Sequence, residues 1–153
     1  MPLDSNETAI RQRWMSVLAK ADPDTLSSRW NALGREEDFT HLRKPEAGLV
    51  MTQGKISGTG APFNLGELTV TRCSVRLADG RVGHAYVSGR SKAKAETAAI
   101  IDALMQGAER TELEAAIIAP IEKAMAEHRA DEGRKAAATK VEFFTMARSA
   151  NVK

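Results

Sequence analysis

Three arginines near the middle of the chain are the side chains best suited to bind an anion. Arg72 and Arg76 lie four residues apart in a segment rich in Thr and Val, and Arg90 follows it. Because strand side chains alternate between faces, Arg72 and Arg76 should point to the same side of a sheet. The planar guanidinium pairs well with phosphate or phosphonate oxygens. The alternative, and the commoner case, is that these arginines are solvated on an open sheet face.

A second candidate for anion binding is the glycine-rich loop around Gly58 and Gly60. Its backbone N–H groups could cradle a phosphate. The loop matches neither G-x-x-x-x-G-K-[ST] nor G-x-G-x-x-G, and it leads into a strand, whereas phosphate loops of those types lead into a helix. The alternative is a flexible connection between two strands.

The usual catalytic side chains are sparse and scattered. Cys73 is the single cysteine, so it can form no disulfide within the chain and cannot alone hold an iron–sulfur cluster. None of the histidines has another histidine four residues away, which disfavours a zinc site. We expect a hairpin that places His84 opposite Val75 and Cys73 opposite Tyr86, with both residues partly or fully buried. We therefore predict that this chain has no catalytic residue and no metal ligand, and that it binds no cofactor.

The elements that position these residues follow an α+β order, with helices, then strands, then helices. An apolar stripe predicts a helix over residues 6–20. Asp22 and Pro23 are a typical N-cap and first residue of a second helix, and Gly34 is typical of its end. We predict one domain over 1–153, made of a helical hairpin (6–34), an antiparallel sheet (37–88), helices (91–130) and an interaction tail (138–148).

The sheet is predicted from a change to alternating apolar residues after residue 37. About four strands are expected, at 39–43, 49–55, 67–79 and 81–88. Residues 44–48 read as a turn between the first two strands. Asp79-Gly80 is the strongest short hairpin signal and predicts a two-residue turn. That turn would place Leu77 opposite Val82.

Helical patterns return after residue 90. Ser91 is the expected N-cap of an alanine-rich helix, whose small side chains would let it approach the sheet closely. Thr111 and Glu114 form a capping-box pattern that predicts the start of the next helix. Pro120 should break or kink that helix, and residues 131–135 resemble a polar connector.

The end of the chain carries an apolar cluster formed by Val141, Phe143, Phe144 and Met146. It includes two of the four phenylalanines of the protein. Exposed aromatic residues commonly anchor protein interfaces, which predicts a segment that docks on a partner. The alternative is that the segment folds back on its own core.

Composition bounds the class of protein. The chain has 153 residues, 42% of them hydrophobic, and a net charge of +2. So small a charge gives no reason to expect a nucleic-acid partner. No run of apolar residues is long enough for a membrane span, and the N-terminus lacks the pattern of a signal peptide. With one cysteine, we expect a cytoplasmic protein.

Four stretches of the sequence together resemble the PhnG family, the PhnG subunit of bacterial carbon–phosphorus lyase. They occur in the same order as in the family and cover nearly the whole chain. They are RQRWMSVLA at 11–19, GTGAPFNLGE at 58–67 continuing through VTR at 70–72, AE at 95–96 with DALMQ at 102–106, and KVEFFTMAR at 140–148.

This resemblance implies a role in phosphonate breakdown. The family belongs to a cytoplasmic core complex with PhnH, PhnI and PhnJ subunits, which works with a PhnL-type ATPase subunit. The assembly replaces the adenine of ATP by a phosphonate, with MgATP as a substrate, and gives a ribose 1-phosphonate 5-triphosphate. A separate radical-SAM subunit then breaks the carbon–phosphorus bond. The family supplies no catalytic motif for this subunit, so the resemblance implies an accessory role or, alternatively, a pure scaffold without substrate contact.

Overall fold

The computed structural model describes residues 4–55, 58 and 60–140. The chain divides into two compact units, Met1–Glu122 and Lys123–Lys153. The apolar residues of the predicted interaction tail, Val141, Phe143, Phe144 and Met146, lie outside the described residues. The single domain over 1–153 also stays a prediction.

The two N-terminal helices are α1 (Ser5–Lys20) and α2 (Pro23–Ala32). The Asp22 carboxylate accepts a hydrogen bond of 2.9 Å from the backbone N–H of Thr25, which is the predicted N-cap. Gly34 has a φ of +60°, a conformation that glycine adopts without strain at the end of a helix. The predicted starts and ends of both helices are confirmed to within about two residues.

The sheet has three antiparallel strands in chain order, β1 (Phe39–Gly54), β2 (Phe63–Leu77) and β3 (Val82–Ser88). The prediction of about four strands is wrong because residues 44–48 do not reverse the chain. They lie inside β1, where the pairing with β2 shifts between His41 and Arg43 and again between Arg43 and Glu46. Since β1 is an edge strand, Pro45 needs no N–H to pair there, and the extra residues are absorbed as bulges.

The hairpin between β2 and β3 differs by one residue from the prediction. The N–H of Leu77 donates to the carbonyl of Arg81 over 2.9 Å, so the loop between them holds three residues instead of two. Gly80 has a φ of +92°, as expected for the left-handed position of a three-residue hairpin loop. A shift of one residue exchanges the faces of a strand. Cys73 therefore lies opposite Ala85, not opposite Tyr86.

One face of the sheet is covered by α3 (Lys92–Leu104), which begins at the predicted N-cap Ser91. The helix runs so close to β3 that a Cβ added at Gly83 would lie 1.9 Å from the carbonyl oxygen of Ala99. The alanine-rich sequence of α3 allows this approach. Helix α1 packs on α3 and on β3, and α2 packs on α3.

The C-terminal helical segments are α4 (Arg110–Leu113), a π-helical turn (Glu114–Ile118) and α5 (Ala119–Ala138). Two predictions are wrong here. The helix starts at Arg110 without a side-chain cap, so the pattern at Thr111 caps nothing. Residues 131–135 continue α5 because their charged side chains pair along the helix surface, as in the 2.8 Å contact between Lys135 and Asp131.

Candidate functional site

The second face of the sheet, which we call the open face, carries polar and charged side chains. Its members alternate along the strands with buried residues such as Cys73 and Val75. They are Arg43 on β1, Arg72, Ser74 and Arg76 on β2, and His84 and Tyr86 on β3. The strand alternation thus places Arg72 and Arg76 together on one face.

His84 lies opposite Ser74 on this face, and the prediction that it faces Val75 is wrong. The Nδ1 atom of His84 is 2.8 Å from Oγ of Ser74, a hydrogen-bond distance whose donor depends on the tautomer. Within residues 4–55, 58 and 60–140, no side chain bonds the other ring nitrogen. A Ser–His pair that acts as nucleophile and base also needs a group that orients the histidine. The contact between Ser74 and His84 is therefore not enough to assign a catalytic role to either residue.

Arg72 belongs to a small cluster around Glu46. The same Glu46 oxygen, Oε1, accepts from Nε of Arg72 at 2.6 Å and from Nη1 of Arg43 at 2.7 Å. Hydrogen bonds from Arg43 and Arg72 hold the pKa of Glu46 below its ordinary value. Two guanidinium groups share one carboxylate, so the cluster keeps one unit of positive charge.

Arg76 is the cation on the open face that is best placed to meet another molecule. It is exposed, between Thr40 on β1 and Val82 on β3, and in the described part of the chain no carboxylate pairs with it. An unpaired guanidinium keeps all its donors for phosphate or phosphonate oxygens or for a partner's carboxylate. Anion binding by Arg72 and Arg76 stays a prediction, and Arg76 is now the stronger candidate.

Gly58 and Gly60 lie far from these arginines, in the connection between β1 and β2. At about 3.3 Å per residue, the strand from Phe63 to Arg72 is roughly 30 Å long, which leaves Gly60 about 20 Å from Arg72 or more. The structure therefore does not bring the glycine loop and the arginines into one phosphate site. The glycine loop therefore remains a candidate for phosphate binding only without help from the arginines.

Cys73 is buried against the covered face, as predicted, and is 1% exposed. Its Sγ donates weakly to the carbonyl of Arg43 over 3.5 Å. Burial raises the pKa of the thiol to about 11. The thiol is thus protonated near neutral pH, which argues against a nucleophile because thiolate is the reactive form.

A buried carboxylate, Asp102 on α3, is the residue that sequence reasoning missed. Its oxygens accept from Arg11 at 3.1 and 2.7 Å, from Nε1 of Trp14 at 2.9 Å and from the backbone N–H of His84 at 2.9 Å. It thereby ties α1, α3 and β3 together behind the open face. The signal in the sequence was an aspartate in the apolar run that follows Ala98.

The residues that the structure describes lack two further features. No group of three or more His, Cys, Asp or Glu side chains there is arranged to hold a metal ion. No helix in that part of the chain is long and apolar enough to cross a membrane.

The fold and the open face define a small α+β protein with an arginine-bearing sheet surface available to another molecule. A family model described as phosphonate metabolism protein PhnG matches residues 9–149. A protein of Rhizobium meliloti (strain 1021), named alpha-D-ribose 1-methylphosphonate 5-triphosphate synthase subunit PhnG, is 46% identical over 148 residues. The alignment covers 95% of this chain and 93% of that relative. The chain therefore belongs to the PhnG family, as the resemblance in its sequence predicts.

Proposed function

We propose that this chain is a subunit of an alpha-D-ribose 1-methylphosphonate 5-triphosphate synthase and acts in phosphonate breakdown. The observation that carries this proposal is the 46% identity, over 95% of the chain, to a relative with that name. The match of the PhnG family model to residues 9–149 supports it independently.

The reaction exchanges the group on the ribose C1′ atom of ATP. The bond from C1′ to adenine breaks, an oxygen of the phosphonate takes its place, and adenine leaves with the proton that the phosphonate loses. Both substrates are anions, so a site for them needs positive groups that offset repulsion as they approach. MgATP is a substrate of the assembly in this proposal, and no cofactor is assigned to this chain.

The partners in this proposal are PhnH, PhnI and PhnJ subunits and a PhnL-type ATPase subunit, in the cytoplasm. The role of this chain is accessory. Its open face would complete a site whose catalytic groups lie on a partner. Arg76 supports that role because it is exposed and, among the described residues, carries no carboxylate partner. The alternative is a pure scaffold, in which the open face meets protein alone and never touches substrate.

An arginine comparison separates these two roles. Arg76→Ala removes a cation of the open face that has no carboxylate partner among the described residues. Arg90, the third arginine of the sequence prediction, is exposed but lies outside the strands, in the connection between β3 and α3, so Arg90→Ala serves as the matched control. Each variant is co-expressed with the partner subunits, and adenine release from ATP and methylphosphonate is measured with the purified assembly. We expect Arg76→Ala to assemble normally and to lower kcat/KM about tenfold or more, as for a lost charged hydrogen bond.

Other results would change the proposal. An Arg76→Ala chain that no longer assembles favours the scaffold, and one with normal assembly and rate removes Arg76 from the site. If the purified chain alone converts ATP and methylphosphonate, the accessory role is wrong. If wild-type chain forms no complex with the partner subunits, the proposed synthase role itself fails.

A further inference from the structure

Strands β1 and β2 continue beyond the end of β3 as a two-stranded extension, which we call the ribbon (residues 49–54 and 63–69). It carries five large apolar side chains that are well exposed. They are Leu49 (62% exposed), Met51 (58%), Phe63 (40%), Leu65 (63%) and Leu68 (48%). A two-stranded ribbon is at best marginally stable in water by itself. Apolar groups clustered on such an element indicate a contact surface.

The apolar side chains lie on both faces of the ribbon. The register pairs Leu49 with Thr69, Val50 with Leu68 and Met51 with Glu67. Side chains of adjacent residues point to opposite faces, so Leu49 and Met51 occupy one face and Leu68 the other. A flat partner surface could cover only one of these faces. Covering both requires a cleft.

One edge of the ribbon also has a main chain that pairs with no strand of the described residues. Strand β3 ends at Ser88, opposite Val70, and the last bond on that side runs from the N–H of Gly89 to the carbonyl of Thr69 over 2.9 Å. Glu67, two residues further along β2, directs its N–H and C=O to the same side. No described strand pairs there. An exposed edge of this kind is a template for one more strand.

The low charge of the ribbon limits the kinds of molecule that could bind it. Within 49–54 and 63–69, Glu67 is the single ionisable side chain. Nucleic acid and anionic lipid surfaces are bound through clusters of Lys and Arg, which these segments lack. An uncharged, apolar protein surface is the complementary partner.

A second copy of the chain fits the ribbon less well than a different protein does. Two ribbons that pair edge to edge would form a four-stranded sheet with both faces still open. Leu49, Met51 and Leu68 would then stay in water, and the apolar area that a stable interface needs would not be buried. A cleft in a larger partner covers both faces and can supply the strand.

We propose that the ribbon inserts into an apolar cleft of another subunit of the synthase, and that a strand of that subunit pairs with the free edge of β2 at Glu67. This inference rests on the proposed function for the identity of the assembly. The inference goes beyond the proposed function because it places the contact with the partner on the ribbon, away from the open face.

The chain offers a matched pair of leucines to test the ribbon. Leu68 lies on the ribbon and Leu42 on β1 outside it, and both side chains are 48% exposed. Leu68→Gln and Leu49→Gln, alone and together, are compared with Leu42→Gln. Each chain is co-expressed with the PhnH, PhnI and PhnJ subunits, and its share in the purified complex is measured by light scattering and gel densitometry.

We expect each ribbon substitution to weaken incorporation about tenfold, and Leu42→Gln to leave it within about twofold. Because the substituted side chains are exposed, each variant alone should unfold within about 2 °C of wild type. Hydrogen exchange gives a second readout. The amide of Glu67 should be protected in the complex and exchange freely in the isolated chain.

Four results would overturn the proposal. Ribbon variants that assemble like wild type, or a Glu67 amide that exchanges equally in both states, would remove the ribbon from the interface while the synthase role stands. Protection of Glu67 in the isolated chain that grows with its concentration would assign the edge to a second copy. If the wild-type chain does not assemble with the other subunits, the proposed function is wrong, and the synthase subunit proposed as the partner of the ribbon is wrong as well.

Discussion

At the scale of single residues, α3 and the turn after it supply the groups that close the outer edge of β3. Lys94 and Asp102 lie on one side of α3, and Gln106 continues their four-residue spacing just after the helix ends at Leu104. Lys94 Nζ lies 3.4 Å from the carbonyl of residue 88, Asp102 accepts the N–H of residue 84, and Gln106 donates to the carbonyl of residue 82 over 2.8 Å. Ala98 occupies the remaining position of this spacing, between Lys94 and Asp102, and its side chain cannot form a hydrogen bond. A groove of about 280 Å³ opens there, beside Tyr86.

Asp102 is expected to matter most for stability. Removing the buried carboxylate leaves the half-buried Arg11 guanidinium without its partner and orphans the N–H groups of Trp14 and residue 84. Asp102→Ala should lower the free energy of unfolding by about 3–5 kcal/mol. Urea denaturation measures this, with Glu112→Ala as the control. Glu112 makes an exposed 3.0 Å pair with Arg35, so its loss should cost no more than about 1 kcal/mol.

A loss of less than about 1 kcal/mol in Asp102→Ala would show that water or a rearranged side chain replaces the carboxylate, against the geometry described. Asp102→Asn gives an intermediate case. It keeps the shape of the side chain but replaces one acceptor oxygen by an NH2 donor, which then faces Arg11 and either Trp14 or the N–H of residue 84, so part of the destabilisation should remain.

Gly83 is required by the close approach of α3. A methyl group there would meet the carbonyl oxygen of Ala99 at 1.9 Å and the backbone nitrogen of Ala103 at 2.6 Å. Backbone atoms cannot rotate away, so the helix must shift. Gly83→Ala should destabilise the chain by about 1–3 kcal/mol or more. Gly48→Ala, where nothing lies within 4 Å, should change the stability by less than about 0.5 kcal/mol, and thermal unfolding compares the two.

At the scale of elements, the features that could be predicted from the sequence are the local ones. Asp22 and Ser91 mark helix starts because an N-cap uses residues within three positions of itself. Strand register is not local. It depended on whether Gly80 closes a two- or three-residue loop, and Asp-Gly is compatible with both. That single residue moves His84 from the face of Val75, where a two-residue loop places it, to the open face beside Ser74.

The π-helical turn before Pro120 has an external hydrogen-bond donor. Proline lacks the N–H that would otherwise meet the carbonyl of Ala116 in an α-helix, and Nη1 of Arg29 donates to that carbonyl over 3.2 Å. Arg29→Ala should therefore cost about 1–2 kcal/mol of unfolding free energy. In a Pro120→Ala background, which restores the N–H, the same substitution should cost less. Equal costs in a double-mutant cycle would contradict this coupling.

The C-terminal tail carries a prediction made from the sequence. Phe143→Ala with Phe144→Ala should weaken capture by partner subunits by about 2 kcal/mol or more, as expected for aromatic anchors. Circular dichroism of the isolated variant is the control. If the variant alone unfolds, the two phenylalanines belong to the core of the chain and the docking role is wrong.

At the scale of the whole molecule, the family could be recognised from the sequence and the arrangement of the site could not. The four motifs needed only their order along the chain. The contact of Ser74 with His84 needed the register, and the bonds of Asp102 needed the packing of α1 and α3 on β3. These contacts join residues up to 91 positions apart, and no local pattern encodes such a distance.

Acid should destabilise the molecule through its paired carboxylates. Hydrogen bonds from Arg81 hold the pKa of Asp79 and of Glu109 below their ordinary values, and the N–H of Thr25 does the same for Asp22. A carboxylate with a lowered pKa in the folded chain contributes stability above its unfolded pKa, and this is lost as the pH falls through the folded value. The free energy of unfolding should therefore fall between about pH 5 and pH 3.

Arg81→Gln isolates the part of this pH dependence that comes from one guanidinium. Arg81 lies 2.7 Å from Asp79 and 2.8 Å from Glu109, so its removal lets the pKa of both carboxylates rise toward their ordinary values. The variant should be less stable than wild type at pH 7, and the difference should shrink toward pH 3. Urea midpoints at pH 7, 5, 4 and 3 measure this. Parallel curves for the two proteins would show that Arg81 acts through packing and not through these charges.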